Sequence, residues 1–237
     1  MMRTAAVMGA CLAVALAPAA VRAQGTFEGM VAYRMSQPGG GSAEMRYFQK
    51  GSKVRQEIDM GGMTTVSIFD ATTGESIMLI PGQKQYMAMN LKDMAKMGGA
   101  AAQAPPADFS RVKVTATGRR ETIAGIACEH YVFASGAAVS GQASDICGAA
   151  GMGFMGGGGQ GAGALPATAG LAKATNAQLA ALGRRGFFPL KMSAGGSAGG
   201  VSMEATRVER RRLDASLFVP PSAYTKMMMP SLPPMKR

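Results

Sequence analysis

From Phe27 to Asn90 short runs of alternating apolar and polar residues recur between tight turns, a rhythm that points to antiparallel strands. The runs are 27–35, 45–49, 53–58, 65–69, 76–80 and 85–89. Pro38 to Gly41, Lys50-Gly51, Gly61-Gly62, Thr73-Gly74 and Pro81-Gly82 separate them. Such even spacing predicts a meander of consecutive hairpins. Alternation also assigns faces. In the first run Phe27, Gly29, Val31, Tyr33 and Met35 share one face, and Glu28, Met30, Ala32 and Arg34 the wetter one. In the third, Val54 and Ile58 point in, while Lys53, Arg55, Glu57 and Asp59 point out and are set to pair across strands.

Beyond Asn90 the pattern is mixed. Leu91 to Gly98 has the spacing of a short helix, and 98–106 reads as a loop. Strands resume at 111–117, then as a hairpin of 118–123 and 127–134 about Ala124-Gly125, then at 141–146. Residues 148–163 are Gly/Met-rich and read as a mobile loop. Thr168 to Leu182 is the principal helix, with Leu171, Thr175, Leu179 and Leu182 at helical spacing and Gly183 placed to end it. Strands return at 187–192 and 201–210 before a Pro-rich tail.

The N-terminus has the anatomy of an export signal: Arg3, an apolar stretch from Ala5 to Ala17, and Val21-Arg22-Ala23 before Gln24. The division expected is a signal peptide at 1–23, a folded domain at 24–226 and a Met/Pro-rich tail at 227–237. The location expected is the periplasm or the exterior. Cys11 does not fit a lipid-attachment site, because Met8 precedes it and a long apolar tract follows. Removal of the signal leaves two cysteines, Cys128 and Cys147, and an oxidising compartment favours their pairing as a disulfide.

The chain carries a formal charge of +11. That favours anionic partners, a membrane surface foremost. No nucleic-acid motif accompanies the charge, so nucleic acid is not expected. The densest basic run, Arg210 to Arg212, reads as a solvated strand end. No partner protein can be assigned.

Catalytic chemistry is not expected. His130 is the only histidine, which excludes a multi-histidine zinc site but not one completed by Cys or carboxylate. Its expected role is a hydrogen-bonded structural one. Cys128 is better explained as half of a disulfide than as a nucleophile. Asp70 and Glu75 flank a turn. No enzyme activity and no cofactor follow. The one metal alternative is Cu(I), which soft thioethers select: Met227, Met228, Met229 and Met235, joined by Met152 and Met155.

Several fragments, in order, resemble a bacterial envelope family of unknown function related to the outer-membrane lipoprotein carriers. They are Phe27-x-Gly29-x-Val31-x-Tyr33; Tyr47-x-x-Lys50-Gly51-x-Lys53-x-Arg55-x-Glu57; Ile68-x-Asp70 before Gly74; and Leu79-x-Pro81-x-x-Lys84-x-Tyr86. Glu121-Thr122-Ile123-x-Gly125-x-x-Cys128-x-x-Tyr131, Gly186-Phe187-x-Pro189-Leu190 and Leu217-Phe218-x-x-Pro221-x-x-Tyr224-x-x-Met227 complete the set. The resemblance implies a mainly β (α+β) fold: a strongly curved antiparallel sheet, an unclosed barrel, with one principal helix across it. It implies no catalytic residues. A carrier-like protein of this kind would hold an apolar ligand, such as an acyl chain, between sheet and helix. The lining expected is Val31, Tyr33, Val54, Ile58, Ile68, Leu79, Tyr86, Leu171 and Leu182. The 21 methionines suit a cavity of adaptable shape. The competing expectation is a filled core in an envelope interaction module.

Overall fold

A computed structural model describes residues 27–36, 39, 41–90, 112–135, 143–153, 177–194 and 200–227. The expected leader, the Leu91–Gly98 helix and the Met-rich tail beyond Met227 lie outside them.

The meander forms as its alternation predicts. Strands β1 (Gly29–Ser36), β2 (Ser42–Lys50), β3 (Lys53–Met60), β4 (Met63–Asp70), β5 (Glu75–Ile80) and β6 (Gln85–Asn90) pair successively and antiparallel. The second half supplies β7 (Val112–Ile123), β8 (Ile126–Ser135), β9 (Ser144–Ala149), β10 (Phe188–Ala194) and β11 (Val201–Arg210). The two runs expected at 111–117 and 118–123 are one strand, β7, whose register with β8 shifts between Ala116 and Arg120. The hairpin about Ala124 and Gly125 is present.

β1 pairs with both β2 and β11 and so joins the two halves. The result is one twelve-stranded sheet in the order β12-β6-β5-β4-β3-β2-β1-β11-β10-β9-β8-β7. The last strand, β12 (Thr225–Lys226), lies parallel to β6. The sheet is unclosed, with β12 and β7 at its ends, and it is curved. Tyr47 of β2 and Tyr131 of β8 share one core.

That core is filled. Phe27, Val31, Tyr33, Met45, Tyr47, Ile146, Phe188 and Leu190 are all almost fully buried in it. Phe188 packs against Phe27 and Tyr47 at ring distances of 5.9 and 5.6 Å. The Tyr33 hydroxyl donates to the Pro189 carbonyl at 2.9 Å, and burial pushes this phenol well above its ordinary pKa.

Among the described residues there is one α-helix, α1 (Ala177–Arg184), which buries Leu179 and Leu182 in the same core. Gly183 does not end it. The helix runs on to Arg184, and the left-handed residue is Gly186, at φ +66°. The Phe187 amide then donates back to the Leu182 carbonyl at 3.2 Å, the return bond typical of a glycine-terminated helix. Gly186 could be missed because a glycine three residues earlier fits the same helical period. The stretch expected as a loop from 148 also begins otherwise. β9 continues to Ala149, and Met152 is fully buried in the core. Glycine richness lowered the predicted order, but the buried thioether of Met152 holds residues 150–153 against the apolar core.

Candidate functional site

A second apolar cluster lies on the opposite face of the meander: Met30, Phe48, Val66, Ile68, Ile77, Leu79, Leu213 and Phe218. The strand register explains it. Val54 pairs with Phe69, and Arg55 with Ile68. Side chains that pair directly across strands share a face. Ile68 therefore points away from Val54, and its partner Ile77 points the same way.

This separates the expected lining residues. Val31, Tyr33, Val54 and Leu182 belong to the filled core, with Ile58 packed against it. Ile68 and Leu79 are in the second cluster, with Tyr86 packed against that one. Leu171 lies outside the described residues. The nine residues therefore do not line one cavity between sheet and helix.

The C-terminal segment covers the second cluster. A 3-10 turn, Ala215–Phe218, is capped by the Asp214 carboxylate, which accepts from the Ser216 amide at 2.8 Å. The Glu28 carboxylate accepts from the Leu213 amide at 2.8 Å, and Lys50 donates to the Leu213 carbonyl at 2.5 Å. Arg55 donates to the Leu217 carbonyl at 3.0 Å while pairing with Glu57 at 2.7 Å. Beyond the turn, the Thr225 amide donates to Lys84 and that of Met227 to Tyr86, at 2.9 and 2.8 Å, which ties the segment to β6.

Between sheet and segment is an open cleft of ≈ 290 Å³. Ile68, Ile77, Tyr86 and Ala88 line it from the sheet, and Phe218, Val219 and Pro220 from the segment. Lys53, Asp70, Glu75 and Lys226 add charge of both signs. Of the expected lining, Ile68 and Tyr86 are here. The residues 218–220 were not foreseen. Their signal in the sequence was an apolar Leu217-Phe218-Val219 immediately before two prolines, which can neither continue a helix nor pair as a central strand.

Asp70 is held as a carboxylate. Burial opposes this, but hydrogen bonds from the Thr72 amide, the Ser52 hydroxyl and the Thr73 amide, with the charge of Lys53, hold its pKa below the ordinary 3.8. The Thr72 and Ser52 contacts are each 2.9 Å. The Leu213 amide, above all, holds Glu28 below 4.5, and Ser216 holds Asp214 below 3.8. A carboxylate depressed on folding contributes stability above its unfolded pKa and loses it as pH falls through the folded value. Stability should therefore decline as pH drops below about 4.5. Asp70→Asn should flatten the limb below about 3.8, as urea denaturation from pH 6 to 2.5 would show. Parallel curves for the variant and the parent would contradict the assignment.

A polar cluster occupies the other end of the sheet. His130 is 3% exposed. Its Nδ1 is 2.6 Å from Asp145 Oδ1, and its Nε2 is 3.0 Å from Glu121 Oε2. Arg119, at the irregularity in β7, reaches Asp145 at 2.6 Å, and Thr117 donates to the His130 carbonyl at 3.0 Å. Lys191 pairs with Glu121 and Glu204, each at 3.1 Å. Hydrogen bonds from Lys191 and then His130 hold the Glu121 pKa down, and its bonds to Glu121 and Glu204 hold that of Lys191 up. Beside them Cys128 and Cys147 are joined by a disulfide. The sequence marked His130 and the two cysteines, and Glu121 only as part of the family resemblance; Arg119, Asp145 and Lys191 were not singled out. Asp145 and Lys191 come together with His130 only through the pairing of β8, β9 and β10.

The expected thioether ligands do not assemble among the described residues. Met152 is a core residue and Met227 is half-exposed beside β6. Met155, Met228, Met229 and Met235 lie outside them.

Several solved structures are similar. PNGF-II aligns over 84% of this chain at 14% identity, with a TM-score of 0.44. An uncharacterized conserved protein from Thermus thermophilus aligns over 84% of this chain and 91% of its own at 9% identity and 0.46. MucB, solved in complex with MucA(peri), aligns over 86% at 12% identity and 0.42. The chain spans 30% of the length of PNGF-II and 60% of that of MucB. No curated protein matches. One family, described as a domain of unknown function (DUF4412), matches residues 27–224.

Proposed function

The chain belongs to the DUF4412 family of unknown function, and from that premise we propose that it is an exported, carrier-like protein that binds the apolar part of an amphiphile. The observation that carries this reading is the cleft under the C-terminal segment. Apolar walls with a few placed polar groups are the usual makeup of a small-molecule site. Ile68, Ile77, Ala88 and Phe218 would take an acyl chain, and Lys53 or Lys226 its anionic end. The cleft is at the small end of the range for such sites, so a short or partly exposed chain fits better than a long one enclosed. The disulfide supports an oxidising location. Fold alone does not assign the ligand.

Delipidated protein titrated with a fluorescent medium-chain fatty acid should bind it saturably. Ala88→Phe, which fills the cleft floor, should weaken binding at least about tenfold, the equivalent of 1.4 kcal/mol. Met63→Ala, at a hairpin tip with 73% exposure, should leave it unchanged. Absence of saturable binding, or equal affinity in Ala88→Phe, would leave the protein as an interaction module with a filled core.

A further inference from the structure

The cleft does not use the His130 cluster, and its atoms are arranged for another task. A carboxylate oxygen of Glu121, an imidazole nitrogen of His130 and the sulfur of Cys147 all lie within 4.8 Å of one another. His130 and Cys147 are direct register partners, as are Glu121 and Cys128, so both sulfurs belong to one patch with the two other donors. Metal-bound histidine characteristically gives its second ring nitrogen to a carboxylate, which sets the ring orientation. Asp145, 2.6 Å from Nδ1, is placed for that once Arg119, whose Nη2 lies 2.6 Å from the same nitrogen, withdraws, with Nε2 turned toward Glu121. In the oxidised chain neither sulfur is a thiolate, and Lys191 and Arg119 neutralise the carboxylates instead.

We propose that reduction of the Cys128–Cys147 bridge turns this cluster into a zinc site with Cys128, Cys147, His130 and Glu121 as ligands. A dithiol donor supplies two electrons and two protons. The S–S bond breaks, two thiols form, and the donor becomes its own disulfide. Zinc then displaces the two thiol protons. Two thiolates, one carboxylate and a neutral imidazole are a donor set that zinc accepts tetrahedrally. In that shell, bonds of about 2.0–2.3 Å put ligands roughly 3.3–3.8 Å apart. The freed sulfurs therefore move apart, His130 Nε2 and Glu121 Oε2 open slightly from 3.0 Å, and Cys147 closes on those two donors by up to about 1 Å. The bound ion with its ligands carries one net negative charge. Lys191 and Arg119, whose side chains are 37% and 61% exposed, can withdraw from the donor atoms and still balance it.

The test uses the full chain in two redox states. Protein reduced with a non-chelating phosphine, then given zinc and gel-filtered, should retain one zinc per chain, whereas oxidised protein should retain none. Cobalt in place of zinc should show thiolate charge-transfer absorption and visible bands of tetrahedral intensity. Glu121→Gln and His130→Gln should each weaken zinc binding at least tenfold in a chromophoric competition assay. Zinc retention by the oxidised chain, no retention by the reduced chain, or cobalt spectra without a thiolate band would overturn the proposal. So would a reduced chain that loses its near-ultraviolet circular dichroism and does not recover it on adding zinc. None of these readouts depends on the cleft.

Discussion

Gly29→Ala is expected to lower stability by about 3 kcal/mol or more, among the largest effects of any single methyl in this protein. A Cβ at residue 29 would lie 2.0 Å from the backbone oxygen of Glu209 and 3.0 Å from the ring tip of Phe27. Carbonyl oxygens in a ladder cannot turn aside as a side chain can. Relief would require β1 and β11 to part, and that pairing is what joins the two halves of the sheet. Phe27, which would also be displaced, packs on Phe188 and lies under the Arg210 guanidinium, 5.4 Å from its ring centroid. The drop in thermal midpoint should be about 6–12 °C, at 2–4 °C per kcal/mol for a chain of this size. Gly51→Ala is the control. It too places alanine at a positive φ, +57°, but no atom lies within 4 Å of the added carbon, so only the backbone penalty of about 1–2 kcal/mol applies. Calorimetry showing the two variants equal would mean that the close approach of β1 to β11 is not held in solution.

The paired change Cys128→Ser/Cys147→Ser is expected to cost about 3 kcal/mol, the loop-closure entropy returned to the unfolded chain across a separation of 19 residues. Chemical denaturation of the oxidised parent and the variant measures this directly. The change should not alter pairing elsewhere, because the bridge links two strands, β8 and β9, that already share a ladder. A loss under about 1 kcal/mol would say that residual structure between these segments already restrains the unfolded ensemble nearly as much as the covalent bond does.

Much of the fold was legible. The hairpins from Phe27 to Asn90 follow from alternation and turn residues, since both are local. The Cys128–Cys147 pair followed from the cysteine count once the leader was set aside. Gly29 was legible in the sequence only as a member of the strand face of Phe27, Val31 and Tyr33, and its contact with Glu209, 180 positions away, could not be read there. The binding face was less legible. Ile58 and Ile68 look alike as inward residues of successive strands, yet the Val54–Phe69 register turns Ile68 to the other side. A shift of one residue in register inverts every side chain, and nothing in the composition of β4 records which frame it takes.

Local chemistry was enough to determine the strands, their turns, the hairpin at Ala124-Gly125 and the absence of a multi-histidine centre in a chain with one histidine. Those properties depend on neighbours within a few residues or on simple counts. Tertiary structure decided that the sheet buries apolar side chains on both faces. It also decided that residues 213–227 return to roof a cleft on the meander, and that Glu121, Asp145 and Lys191 gather around His130. Each of these depends on pairing between distant strands, where the choice of partner and frame is made by packing the whole chain at once.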